Sequence, residues 1–256
     1  MKRKTCTLYL SCEEYGVILD ALIRFKNKLT RQGRYTDIVD EVILALLDAH
    51  PVDGVLLAGD LYDKPVPPAE AVRLLDWFLT QLAARGLPVF AISGNHDSPE
   101  RLSFGAEILS RQQVYVAGSC PQSENEHLKK VTFQDAWGET DVWMLPFVKP
   151  GYVRKLMEES RKKTDREDGA GQGSDGSQEA DREPETEREV IRRDYNEAVK
   201  FLLERENIDT ARRNILISHQ FYTAGGEIPK TSDSETITVG GLDQGDTACL
   251  APFSYV

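Results

Sequence analysis

Three segments of this chain are short apolar runs that stop abruptly at a polar residue: Asp53 to Asp60, Leu87 to Asn95, and Arg213 to His219. Runs of this length, apolar without strict alternation, are what strands buried on both faces of a parallel sheet look like. A helix is predicted between the first two. Pro67-Pro68 open it, apolar residues recur at Ala71, Leu74, Leu75, Phe78, Leu79 and Leu82, and Gly86 closes it. A second helix is expected from Pro99 to about Arg111, and a third from Glu189 to Glu206 with Ile191, Tyr195, Val199 and Leu202 on one stripe. Lys130 to Gln134 and Asp141 to Phe147 flank Ala136 to Glu139 and predict a hairpin. Strands alternating with helices argue for an α/β layered sandwich, with the hairpin adding antiparallel edges to a mixed sheet.

The 256 residues, 40% of them hydrophobic, suffice to bury a core. No apolar run approaches the roughly 18 residues needed to cross a bilayer, and Met1 to Leu10 is too short and polar for a secretion signal, so the expected location is the cytoplasm. The cysteines at 6, 12, 120 and 249 form no C-x-x-C pair, which excludes a zinc ribbon and reads as idle thiols. A net charge of −11 has the wrong sign for an extended basic DNA-binding face, so any phosphate chemistry has to be local. Much of that charge lies between Glu158 and Glu189, where twelve Asp and Glu face six Lys and Arg. Residues 157 to 188 are rich in Gly, Ser and charge and are expected to be a disordered acidic loop.

Sites in α/β folds lie beyond the carboxyl ends of the strands. Asp60, Asn95-His96-Asp97 and His219 each follow an apolar strand, so all should project onto one sheet edge. A carboxylate, an amide oxygen and an imidazole suit manganese, iron or zinc better than calcium, and such an ion suits work on phosphates. In this scheme Asp60, Asn95 and His219 are metal ligands, while His96 stays free to touch the reacting phosphate and Asp97 holds its ring. A turn-forming role explains Asp60 or Asn95-His96-Asp97 taken singly. The combination favours the metal site. His50 and His127 sit in loop-like sequence and are assigned no role.

Gly59-Asp60, then Gly94-Asn95-His96-Asp97, then a strand ending in His219 resemble the calcineurin-like metallophosphoesterase signature. The wider text, in Gly59 to Glu70, Ser93 to Arg101, Met144 to Phe147 and Ile217 to Phe221, resembles the SbcD-type nucleases, from about Gln32 to Val256. The resemblance implies a layered α/β sandwich around a mixed sheet, here incomplete, and two manganese ions with Asp60 bridging them. It also implies ATP-dependent exo- and endonucleolytic hydrolysis of double-stranded DNA in repair and recombination, together with an SbcC-type ATPase partner, and it admits a homodimer.

Two family motifs are not found. The family opens with Asp-x-His after its first strand, and residues 1 to 31, a divergent segment before the 32 to 256 nuclease domain, contain no His. The family also has Gly-His-x-His after a Phe-x-Tyr-Val strand, and this sequence runs to Phe253-Ser-Tyr-Val256. The expectation is a half-site holding one ion, in a chain truncated at both ends, with the ATPase-docking region beyond Val256. Cys12 and Glu14, in Leu10 to Gly16, are the alternative ligands. Action on small phosphoesters, or a non-catalytic remnant, are the other functional readings.

Overall fold

The computed structural model describes residues 37–50, 52–135, 137–168, 187–223 and 244–256. The first layer is built from helix α1 (Asp37–Ala49), strand β1 (Val55–Ala58), helix α2 (Ala69–Ala84), strand β2 (Val89–Ile92), two short helices α3 (Pro99–Ser103) and α4 (Ala106–Ser110), and strand β3 (Val114–Ala117). The three strands pair in the order β1-β2-β3, all parallel, with Ala58 level with Ile92 and Ile92 with Ala117. Strand β2 is buried at every position, as its unbroken apolar pattern requires of a central strand.

A second sheet follows. Strands β4 (Lys129–Asp135) and β5 (Gly138–Leu145) form the expected hairpin, and β6 (Arg213–Ser218) joins β5 in parallel. The antiparallel edge therefore belongs to this mixed sheet, and β1, β2 and β3 form a separate one. Helices α5 (Pro150–Asp168) and α6 (Glu187–Glu204) follow β5, and a small parallel pair, β7 (Phe221–Thr223) with β8 (Gln244–Asp246), follows β6.

Side chains alternate across each sheet, and this alternation sorts them into three cores. On β2, Val89 and Ala91 face outward and meet Leu44 of α1, Phe78 and Leu82 of α2 and Leu102 of α3. Phe90 and Ile92 face inward and meet Val142 and Met144 of β5 and Ile217 of β6. The opposite face of the second sheet, Trp143, Leu145 and Leu216, is covered by Val153 of α5 and Val199 and Leu202 of α6. The order of layers is helices, sheet, sheet, helices. Each fully buried Leu or Ile contributes about 1.5–3 kcal/mol by removal from water, and Leu82, Ile92, Leu145 and Leu202 are all wholly buried.

Two elements depart from the sequence reading. The helix expected from Pro99 to Arg111 is broken at Phe104-Gly105: Gly105 takes φ 72°, and the Ser103 hydroxyl bonds back to the Pro99 carbonyl at 2.8 Å. Residues 157–168, expected in the acidic loop, are the second half of α5. A helix needs only one apolar stripe, which Val153, Leu156 and Met157 supply, while Lys155 pairs with Glu159 (3.8 Å) and Arg161 reaches Glu197 of α6 (3.6 Å). Residues 169–186, together with Cys12, Glu14 and the rest of residues 1–36, lie outside the described residues.

The end of the described chain returns to the second sheet. A 3-10 turn, Thr247–Leu250, is capped by Asp246, whose carboxylate accepts the Ala248 N–H at 2.9 Å. Tyr255 then bridges in parallel to Ile215, with Leu216 N–H donating to the Tyr255 carbonyl at 2.9 Å.

At the end of the second sheet where β5 begins, Asp141 is fully buried. It accepts from the Thr132 hydroxyl at 2.6 Å and pairs with Lys130 at 3.2 Å, with Arg212 at 3.9 Å. Burial alone would raise its pKa, but the Thr132 hydroxyl, Lys130 and Arg212 outweigh it and hold the carboxyl below its ordinary value. A carboxylate depressed in the fold contributes stability above its unfolded pKa of about 3.9, and that contribution disappears as pH falls through the folded value. Asp141→Asn should cost about 1–3 kcal/mol at neutral pH. Urea melts should show the gap to wild type narrowing as pH falls below the unfolded carboxylate value of about 3.9, and a constant gap would contradict this account.

Candidate metal centre

The parallel strands β1, β2, β5 and β6 bring their carboxyl ends to one edge. The Phe147 N–H donates to the Ser93 carbonyl at 2.9 Å, fastening the end of β5 to the end of β2 across the two sheets. Ser93 is itself buried and donates its hydroxyl to the Gly118 carbonyl at 2.7 Å, so the end of β2 is tied to the segment after β3 as well. Of the five residues named from the sequence, Asp60, Asn95 and His219 meet at this edge, and the His96 backbone N–H bonds Asp60.

Asp60 arrives by a sharp left-handed turn, Gly59 at φ 90° and Asp60 at φ 50°. An aspartate tolerates this conformation better than most residues. The turn places Asp60 Oδ1 to accept the His96 backbone N–H at 3.1 Å. Both neighbouring glycines are required by lack of space: a Cβ at Gly59 would overlap the His219 ring, and one at Gly94 would overlap Asp60 itself. The Gly-Asp and Gly-Asn pairs are thus steric requirements of the same cleft.

His219 is fixed by its Nδ1, which lies 2.6 Å from the Ala58 carbonyl oxygen. A carbonyl only accepts, so Nδ1 carries the hydrogen and Nε2 is the nitrogen turned toward the cleft. That Nε2 lies 3.3 Å from Asn95 Oδ1 and 3.5 Å from Asp60 Oδ2. Burial pulls the His219 ring toward lower pKa, but the Asp60 carboxylate and the Ala58 carbonyl outweigh it and raise it. Asp60 shows the converse: burial pushes it up, and His219 with the His96 N–H brings it below the usual carboxylate value.

This donor set fits a divalent cation. With a proton on Nε2 the imidazole faces two oxygen acceptors, and without it the ring nitrogen and both oxygens can act as donors to a cation. Metal bonds of about 2.0–2.2 Å separate adjacent donors by about 3.0–3.5 Å, which brackets the two distances observed. The fit depends on the Asn95 amide: among the described residues no three His, Cys, Asp or Glu side chains form a metal-holding group. The described thiols do not add to it. Burial pushes Cys120 up to about 12 and Cys249 to about 11, both far from the thiolate form. His127 lies apart, with Nδ1 3.2 Å from the buried Glu206 carboxylate.

His96 and Asp97 do not pair as expected. Asp97 is 2% exposed and turned away from the cleft. Its Oδ2 accepts the N–H groups of Gly94 (2.8 Å) and Leu61 (3.1 Å), and its Oδ1 accepts that of Tyr62 (2.8 Å). The His96 ring is held instead by the Asp63 carbonyl, 3.0 Å from Nδ1. Asp97 therefore acts on His96 at one remove, by fixing the 61–63 loop that carries this carbonyl. Sequence adjacency suggested direct contact, yet the Asp97 carboxylate and the His96 ring take separate backbone partners. Phe147 is a residue the sequence reading did not assign to the site: its ring stands edge-on to His219, with centroids 6.2 Å apart.

Burial raises the Asp97 pKa, and the three N–H donors only partly counter it. Asp97→Asn would remove that buried charge but turn an NH2 toward at least one of the donors. An unmet buried donor costs about 1–3 kcal/mol. We expect a net loss of about 1–2 kcal/mol in a denaturant melt, and unchanged stability would show that the three bonds do not hold the loop.

The sequence profile of the calcineurin-like phosphoesterase family matches residues 32–211. Three curated proteins, each named as the D component of the nuclease SbcCD, are similar to this chain. That of Staphylococcus epidermidis is 29% identical over 209 residues, 80% of this chain and 44% of the relative. That of Staphylococcus saprophyticus is 33% identical over 111 residues (43% and 27%), and that of Bacillus subtilis 33% over 101 residues (39% and 25%). The matched region spans less than half the length of each relative. With its profile match and with Asp60, Asn95 and His219 meeting at one sheet edge, the chain belongs to the calcineurin-like phosphoesterase family.

Proposed function

We propose that this chain carries the metal-dependent phosphodiesterase centre of an SbcD-type DNA nuclease, with manganese held by Asp60, Asn95 and His219. The observation that carries this reading is the convergence of two oxygens from the first sheet on His219 Nε2 of the second, at 3.3 and 3.5 Å. A divalent cation bound there supplies positive charge that neutralises phosphate oxygens and makes a nearby water easier to deprotonate. This answers how a chain of net charge −11 can act on a polyanion.

The chain's own residues do the rest. His219 keeps Nδ1–H on the Ala58 carbonyl, which orients the ring and makes Nε2 the ligand. His96 keeps Nδ1–H on the Asp63 carbonyl, which leaves its Nε2 to take or give a proton at the phosphate oxygens. Asp97 positions the loop that makes this possible. We assign duplex DNA as the substrate and an SbcC-type ATPase as the partner, supported by the names of the curated relatives. None of the described helices is long and apolar enough to cross a membrane, and we place the protein in the cytoplasm.

We further infer that the ligands gathered among the described residues serve one ion, and that a second would need the family's Asp-x-His and Gly-His-x-His segments. The parallel bridge between Tyr255 and Ile215 supports the latter, because a chain continuing in that register runs beside β6 toward His219.

Manganese calorimetry on the 256-residue chain should give no more than one weak site, lost in His219→Ala, with poor degradation of linear duplex. Adding a family-type Asp-x-His start and a Gly-His-x-His continuation should restore a second ion and nuclease activity. In that repaired protein His96→Ala should lower cleavage by about 10²–10⁴-fold while keeping most metal binding. Robust manganese-dependent cutting by the original chain would sink the one-ion proposal.

A further inference from the structure

The segment after β5 runs along the candidate centre and carries two residues that the chemistry above does not use. Phe147 stands against His219 and Val148 is wholly buried, so the chain is pinned on both sides just before Lys149. The Lys149 ammonium lies 5.8 Å from the ring centroid of Tyr152 in the first turn of α5, and Tyr152 is 58% exposed. The charge of Lys149 is felt at Glu100 of α3. The Glu100 carboxyl is held low first by its own backbone N–H and the Ser98 hydroxyl; burial opposes them, and Lys149 adds to the lowering.

Lys149 lacks a close acidic partner among the described residues. Lys130 pairs with Asp141, Lys155 with Glu159 and Lys200 with Glu204. Among the described residues no carboxylate lies within 4 Å of Lys149. In so acidic a chain, an ammonium left unneutralised two residues from the aromatic that touches His219 is a local positive point at the site.

We propose that Lys149 contacts a backbone phosphate of a nucleic-acid strand, one flanking the phosphate at the metal centre, and that the Tyr152 ring stacks on a base of that strand. The proposal rests on the phosphodiesterase reading of the centre and extends it to the flanking substrate. An ammonium supplies a point charge for a phosphate, and an exposed aromatic face accepts any base. Lys149 and Tyr152 lie close enough together to engage one strand.

The test is anisotropy of fluorescein-labelled single-stranded and duplex oligonucleotides with this chain, over about 50–200 mM salt. Lys149→Gln should weaken binding about three- to tenfold and flatten the log–log salt slope by about 0.7–0.9, the signature of one lost phosphate contact. Lys149→Arg should restore both. Tyr152→Ala should weaken single-strand binding with no change in slope, and Tyr152→Phe should leave it intact. Circular-dichroism melts report whether each variant folds.

Wild-type affinity and slope in Lys149→Gln would overturn the proposal. So would a loss shared equally by Lys149→Arg, or no measurable oligonucleotide binding by wild type. Manganese binding by wild type and by His219→Ala is measured alongside by calorimetry. Its absence in wild type with a slope change in Lys149→Gln overturns the metal-centre reading alone, and its presence without a slope change overturns the strand contact alone.

Discussion

The cleft depends on one carboxylate that never faces it. The two oxygens of Asp97 take three backbone N–H groups, from Leu61 and Tyr62 after β1 and from Gly94 after β2. Without that tie, two separate strand ends would each have several backbone angles to choose, and fixing each residue costs about 1–2 kcal/mol of entropy. With it, the turn bearing Asp60 and the turn bearing Asn95 and His96 form one rigid body. The close approach this demands is paid for in side-chain volume, which is why Gly59 and Gly94 have none to give.

From this body the arrangement of sheets follows. The parallel first sheet presents β1 and β2 with their ends together, and the Ser93 carbonyl takes the Phe147 N–H to align the second sheet with it. His219 then reaches over from β6 to bond the Ala58 carbonyl at the end of β1. Between the sheets the contacts are mostly apolar, with Phe90 of β2 against Phe133 of β4, so alignment comes from a few polar bonds and adhesion from the core beneath.

Much of this was legible in the sequence, for identifiable reasons. The strands that deliver Asp60, Asn95 and His219 are short apolar runs with sharp ends, a pattern with little ambiguity. The apolar run within Asp141 to Phe147 marked a strand, but not which sheet it would join, since burial on two faces looks alike in either. Charge misled at residues 157–168, because composition weighs every residue and a helix needs only its inward stripe. The role of Asp97 was out of reach. Its partners include backbone N–H groups some 35 residues away, and no side-chain pattern encodes them.

The candidate centre has its donor groups on both sides of a seam. Asp60 and Asn95 belong to the first sheet and His219 to the second, so a cation held by all three would be a clasp between layers. Its affinity would contain the free energy of docking one sheet on the other, and by linkage the docked state would gain RT ln(1 + [L]/Kd) from the ion. A slight repacking of Phe90 or Met144 deep in the seam would then be felt as weaker ion binding, although neither side chain comes near the ion. In such a protein, metal affinity is a gauge of interior packing.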